Sequence, residues 1–293
     1  RPGKRRRVQY RFAPLALAGV SIVLFGVFFV WPGSLGLIYS FTDYSGIGDY
    51  DFIGLANYER LFGDPTFYQS LTRTLLYAAV SVPLMYVMSL TIASLLVSNY
   101  TKGKTAAKLI FFFPWLISPI VAGVIWRWTF GESFGFVNYV ITELGANPLA
   151  WQTDPDLALM VVVMAATWGG TAFSMLIFIA ALKNVPRAYY EAAEIDGANA
   201  WQRFRFITLP SIAPTSFLVV LLSSLGAMKE FALVQALNGG GPGTSNTFLI
   251  QYIYETGFQR ADIGYASAVS MILLVILLTI ALLQMWVNRR RTT

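Results

Sequence analysis

The sequence predicts an all-α integral membrane protein with six transmembrane helices and both termini cytoplasmic, and three observations carry that prediction. Of 293 residues, 56% are hydrophobic and 12% charged, against about 25% charged in a soluble domain, so lipid is the fitting solvent. The charged residues stand outside six apolar windows, each close to or above the ~20 residues a helix needs to cross a bilayer core. The basic residues also fall on alternate sides of those windows. The windows run from Phe12 to Thr42, Thr74 to Thr101, Leu109 to Trp126, Leu157 to Leu182, Phe206 to Met228 and Ile263 to Asn288.

The first window is too long for the apolar stretch of a signal peptide, and no small-residue cleavage site precedes the polar segment behind it, so it reads as a retained span. That polar segment, TDYSGIGDYDFIGLANYERLFGDPTFYQS, is either a small structured lid or a solvated loop with interfacial Tyr and Phe anchors. Between the third and fourth windows, GESFGFVNYVITELGANPLAWQTDPD carries an amphipathic pattern from Phe134 to Leu144 that predicts a peripheral helix. The fourth and sixth windows, with VVVMAATWGGTAFSMLIFIAAL and ASAVSMILLVILLTIALLQMWV, are apolar on every side. Barrel strands would alternate apolar and polar instead, which excludes a β-barrel. The glycine-dense NGGGPGTSN, Asn238 to Asn246, lacks the Gly-Lys-Ser/Thr ending of a phosphate loop and reads as turn chemistry. One membrane domain, residues 12–288, is expected between basic cytoplasmic segments 1–11 and 289–293.

Lys and Arg are retained on the cytoplasmic side of a membrane. With the N-terminus inside, that side holds Arg1, Lys4, Arg5, Arg6, Arg7, Arg11, Lys102, Lys104, Lys108, Lys183, Arg187, Arg203, Arg205, Arg289, Arg290 and Arg291. The other side keeps Arg60, Arg73, Arg127 and Arg260 amid acids such as Asp43, Asp49, Asp51, Asp64, Glu132, Glu143, Asp154 and Asp156. The net charge of +6 is therefore the sum of a basic inner and an acidic outer face, and no sign of nucleic-acid binding. The RPGKRRR start reads as a topology anchor beside anionic membrane lipid. With Cys 0 and His 0, disulfides, zinc sites and the commonest general base are excluded together. An intramembrane enzyme would need a nucleophile with a base, or a carboxylate pair, and Lys229 and Glu230 alone are too few.

Between the fourth and fifth windows lies a polar island, EAAEIDGANAWQRFRFITLP, Glu191 to Pro210. Pro186 suits a first helical turn with Asn184 as cap. Asp196-Gly197 predicts a stop and a sharp turn, and a second helix is expected from Asn199 to Leu209. Glu191 and Glu194, three apart, face nearly the same way.

The spacing of Glu191, Ala192, Ala193, Asp196, Gly197, Ala198, Phe204, Leu209, Pro210 and Pro214 resembles the cytoplasmic EAA signature of permease subunits of bacterial binding-protein-dependent ABC importers. FIGLANYERLFGDPTFYQSL, VPL at Val82 to Leu84, FPWLISP, and LNGGGP followed by YIYETGF are similar to the carbohydrate branch, typified by maltose and glycerol-3-phosphate permeases. The resemblance implies that loop 183–212 is a coupling helix pair seated in a cytoplasmic ATPase. Glu191 would contact the ATPase, Gly197 would set the bend, and the alanines would allow close packing; Asp196, Phe204 and Pro210 complete the matched positions. It implies two ATPase copies that handle ATP and magnesium, no cofactor on this chain, a second homologous permease, an extracytoplasmic solute-binding protein, and a bacterial plasma (inner) membrane location. An ATP-independent channel or secondary transporter is the alternative, and it leaves the island without a purpose.

Ionisable groups inside a span usually face a water-filled path, which makes Lys229 and Glu230 candidates for the substrate path, placed in the outer half of the fifth helix; snorkelling to the headgroups is the other reading. Phe231 lies in the same stretch, where the family's Phe-Asp is here Phe231-Ala232 and its Thr is Asn238. Trp168, Phe173 and Tyr252 either stack on sugar rings or pack helices, and Gly169 and Gly170 beside Trp168 permit close helix contacts. Mono-, di- and oligosaccharides, polyols and glycerophosphate-type anions all suit the resemblance.

Overall fold

The computed structural model describes residues 13–98 and 102–292. The anchor segment 1–11, Phe12 and Thr101 at window ends, and the side chains of Arg290 and Arg291 lie outside the described residues. In chain order, α1 (Ala13–Phe25) runs through a wide π-type turn into α2 (Trp31–Tyr39), followed by α3 (Ala56–Phe62) and α4 (Pro65–Val97). Next come α5 (Lys104–Phe112), α6 (Pro119–Thr129), α7 (Phe136–Glu143) and α8 (Pro155–Lys183). Beyond them are α9 (Arg187–Ile195), α10 (Ala200–Arg203), α11 (Leu209–Ser211), α12 (Ala213–Ala227), α13 (Ala232–Leu237), α14 (Leu249–Tyr254) and α15 (Ile263–Thr292). The described residues are all-helical apart from an isolated antiparallel bridge between Thr42 and Phe52.

Four helical stretches are long and apolar enough to cross a membrane: Ala18–Tyr39, Pro65–Val97, Pro155–Lys183 and Ile263–Arg289. Six result if two bent pairs each count as one span, Lys104–Leu116 with Pro119–Thr129, bent by 100°, and Ala200–Ser211 with Ala213–Ala227, bent by 70°. The third and fifth windows are thus broken helices rather than continuous ones. Proline explains the first break: Ser118 precedes Pro119, is driven to an extended ψ of 146°, and caps α6 by accepting the Val121 N–H. In the second, Pro210 and Pro214 flank the turn at Ile212. The long helices α4 and α8 begin alike. Asp64 and Asp154 accept N–H groups of the first turn, and Pro65 and Pro155 follow at the position where a missing N–H costs nothing.

The chain divides into two compact units, one of residues up to Gly63 with Ile253–Leu273, the other of Asp64–Tyr252 with Leu274 onward. In the first unit, the segment after α2 is structured, which decides between the two readings of that polar stretch. Buried Asn57 donates to the carbonyls of Ser40 (3.1 Å) and Thr42 (2.8 Å). Arg60 pairs with Asp262 at 2.6 Å and lies 4.0 Å over the Tyr265 ring.

In the second unit, α8 packs along α4 and beside α12, with Met175, Phe178 and Val162 fully buried. The peripheral helix expected from Phe134 to Leu144 is α7. Its buried Asn138 ties the segment between α6 and α8 together, donating to the carbonyls of Glu132 and Leu149 and accepting from the Leu149 N–H and the Trp151 indole. The glycine run after α13 is a turn, with positive φ at Gly239, Gly240 and Gly243 and with Asn238 bonded to Gly240 and Gly241.

The Glu132 carboxylate accepts the Gln152 N–H (2.9 Å), the Thr153 N–H (2.7 Å) and the Thr153 hydroxyl (2.8 Å). These bonds, that of Gln152 first, hold it below its ordinary carboxylate value. When the segment opens, the group returns to about 4.3. The folded form then binds fewer protons, so its stabilisation is complete above that value and is lost as pH falls through the depressed one. Amide-exchange protection of Gln152 and Thr153, corrected for intrinsic rates, is expected to be flat from pH 7 to 5 and to fall in more acidic solution. Glu132→Gln should remove that pH dependence.

Candidate functional site

The island is built by local capping. Asn184 ends α8, and Pro186 takes the N-cap position of α9 with an extended ψ of 130°. This corrects the expectation that Asn184 caps the new helix with Pro186 inside it, because Asn184 is already spent on the helix before. At the other end, Gly197 has φ of +74°, while the Gly197 N–H reaches the Glu194 carbonyl and the Ala198 N–H the Ala193 carbonyl. That pair of bonds is a Schellman stop, which glycine adopts without strain. Asn199 and Gln202 then form a reciprocal capping box for α10. The second helix is less regular than expected, passing through a π-type turn at Phe204–Thr208 before α11.

Further bonds hold the two arms together. Arg203 pairs with Glu194, and the Tyr190 hydroxyl meets that of Thr208 at 2.9 Å. Glu191 and Glu194 share the wall of a cavity of about 630 Å³ with Lys183, Arg187 and Arg203. Phe204 packs inward against the core of α4 and α8, whereas Glu191, Ala192, Asp196, Gly197 and Pro210 are exposed and Ala193 and Ala198 partly so. Ile195 (87% exposed), Trp201 (65%) and Phe206 (68%) also project.

A second cavity, about 720 Å³, lies among α4, α6, α8 and α12, within the usual size range of ligand sites. Two helix interruptions border it: Pro114, Trp115, Ile117 and Pro119 come from the break at Ile117–Ser118, and Gly226, Ala227, Glu230 and Leu233 from a further break between α12 and α13, distinct from the bend at Ile212. Trp115 and Phe173 form a stacked pair on its wall, with ring centroids 5.0 Å apart. Gly169 and Gly226 line it too, and a Cβ added at either meets nothing within 4 Å.

Lys229 and Glu230 are not in the outer half of a helix. The helix α12 stops at Ala227, and the pair occupies the break before α13. Glu230 caps α13, accepting the Leu233 N–H at 3.2 Å, and faces the cavity, whereas Lys229 is exposed. Phe231 is the half-buried residue just before α13. Trp168 packs on Trp126, with centroids 6.1 Å apart, beside the core, and Tyr252 is buried with its hydroxyl donating to Asp64. Of the five path candidates, then, the cavity takes in Glu230; it also takes in Phe173. Sequence reasoning missed Trp115, whose signal was its place between the two prolines of FPWLISP.

Comparison with known proteins follows this geometry. The family described as "Binding-protein-dependent transport system inner membrane component" matches residues 18–293. The arabinooligosaccharides transport system permease protein AraP of Bacillus subtilis is 34% identical, covering 93% of this chain and 87% of that protein. The sn-glycerol-3-phosphate transport system permease protein UgpA of Agrobacterium fabrum is 30% identical, covering 94% of each. Among solved structures, a chain of a bacterial alginate ABC transporter in complex with an alginate pentasaccharide-bound periplasmic protein is 25% identical. It has a TM-score of 0.85 and covers 97% of this chain and 96% of its own. The chain therefore belongs to the family of binding-protein-dependent transport system inner membrane components, whose named relatives are transport permeases rather than enzymes.

Proposed function

We propose that the chain is a transmembrane subunit of an ATP-driven importer in a bacterial plasma membrane, with six spans and both termini cytoplasmic. With a second homologous permease it forms the path for a sugar or related polyol brought by an external binding protein. Two ATPase copies supply ATP and magnesium chemistry, and loop 183–212 couples them to the helices.

The observation that carries this reading is the island's build within a chain of this family. A lever needs stiffness and a partner surface. The Schellman stop, the capping box and the Glu194–Arg203 pair supply the first. The projecting Ile195, Trp201 and Phe206 supply the second, because large apolar groups in a polar protrusion mark an interaction surface. In this arrangement Phe204 ties the island to the helices, and Glu191, Asp196 and Gly197 face the ATPase. A channel or secondary transporter acting alone would leave that surface uncovered.

Reconstituted in proteoliposomes with its partner permease, ATPase and binding protein, the chain is expected to support uptake only when ATP is present. Glu191→Lys should lower uptake tenfold or more, since a misplaced interface charge costs ~2 kcal/mol or above, while the variant still inserts and copurifies with the second permease. Wild-type uptake by that variant would sink the coupling assignment, and uptake without ATP would favour the channel.

Gly226→Leu tests the cavity as the path. Leucine favours a helix over glycine by ~1 kcal/mol and meets open space, so the variant should assemble normally yet lose uptake because its side chain fills the cavity. Unimpaired uptake would remove the cavity from the path.

A further inference from the structure

We infer that the cavity bordered by the two helix breaks selects uncharged, hydroxyl-rich solutes over anions, with Glu230 as the discriminating group. This rests on the reading of that cavity as the solute path. The relatives do not choose between these classes, since one is named for arabinooligosaccharides and another for glycerol-3-phosphate. The lining does choose.

Among the described residues, the lining contains one ionisable carboxyl, Glu230, and no lysine or arginine. Lys229, its chain neighbour, is exposed and stands outside the lining. A phosphate or uronate entering here would meet a carboxyl group in partly desolvated surroundings with no cation to offset it. Paths for anions need arginine, lysine or converging N–H groups.

The remaining lining suits a saccharide. Four lining residues carry a hydroxyl: Ser223, half-buried, and Ser81, Ser174 and Tyr77, buried. That of Ser223 has the Met85 sulfur as its partner, at 3.6 Å, a weak acceptor that a solute oxygen would replace with gain. Glu230 accepts the Leu233 N–H, and a carboxylate has about four lone-pair sites, so capacity remains for solute hydroxyls. The stacked Trp115–Phe173 pair, 49% and 40% exposed, offers a flat apolar face to the C–H side of a sugar ring. Gly169 and Gly226, also in the lining, leave open space there, since a Cβ at either would meet nothing within 4 Å.

The test uses the complete importer in proteoliposomes with ATP inside. Lactose and raffinose serve as neutral probes, glycerol 3-phosphate and an alginate trisaccharide as anionic ones, each offered with the binding protein. ATP-dependent uptake of neutral probes is expected to exceed that of anionic probes at least tenfold. Glu230→Lys should cut neutral uptake at least tenfold, while Glu230→Gln, which keeps an acceptor oxygen, retains more of it. Wild-type uptake of an anionic probe on a par with the neutral ones overturns the inference even if the variants fail to assemble. Unchanged neutral uptake by an assembled Glu230→Lys importer overturns the role of Glu230. Absence of ATP-driven uptake of all four probes overturns the import reading, and this inference with it.

Discussion

In the hydrocarbon core of a membrane every backbone N–H and C=O must find a partner within the protein, so a helix is interrupted only where protein covers the break or water fills a cavity beside it. This constraint organises the second unit. The breaks at Ile117–Ser118 and at Met228–Phe231 border one cavity, and side chains satisfy the freed groups: Ser118 caps α6 and Glu230 caps α13. The short α13 is held by close approach to α6, where a Cβ on Gly123 would stand 2.7 Å from the Leu233 carbonyl oxygen. Overpacking of that kind costs ~1–3 kcal/mol. The glycine is therefore a condition for the break, and the break is what places a carboxyl on the cavity wall.

The island answers a different demand. Outside the membrane its groups find water readily, so rigidity has to come from local bonds that compete with solvent. The Schellman stop, the capping box and the Tyr190–Thr208 contact do this through hydrogen bonds fixed by the chain's own turns. The Glu194–Arg203 pair, with side chains 62% and 28% exposed, adds little energy but spans the bend. In the proposed importer these features let a push on Glu191 reach Phe204 and the cores of α4 and α8.

What was legible in the sequence followed from how local each signal is. The windows giving α8 and α15 read correctly because they are apolar on every side, and Gly197 was found because only a residue tolerant of positive φ suits that stop. The start of α4 was missed because Arg73 closed the charge-free window, although it lies within the helix and pairs with Asp156 at 3.3 Å. The Asp-Pro pairs at 64–65 and 154–155 were the overlooked start signals. Helix breaks inside apolar windows were hidden because hydropathy is blind to backbone direction, and Pro114 and Pro119 were the cue. The burial of Tyr252 on Asp64 joins residues far apart in the chain, which periodicity does not reach.

The central claim is that the breaks open onto a water-accessible path, and the absence of cysteine (Cys 0) allows a direct measurement without background. Single cysteines at Gly226, Glu230, Val162 and Val234 would be exposed to a water-soluble thiol reagent in membranes carrying the complete importer. Val162 and Val234 are fully buried, and thiol reaction follows exposure and thiolate character. Cysteines at 226 and 230 are expected to react roughly tenfold faster or more than those at 162 and 234. Equal rates at all four positions would contradict the account.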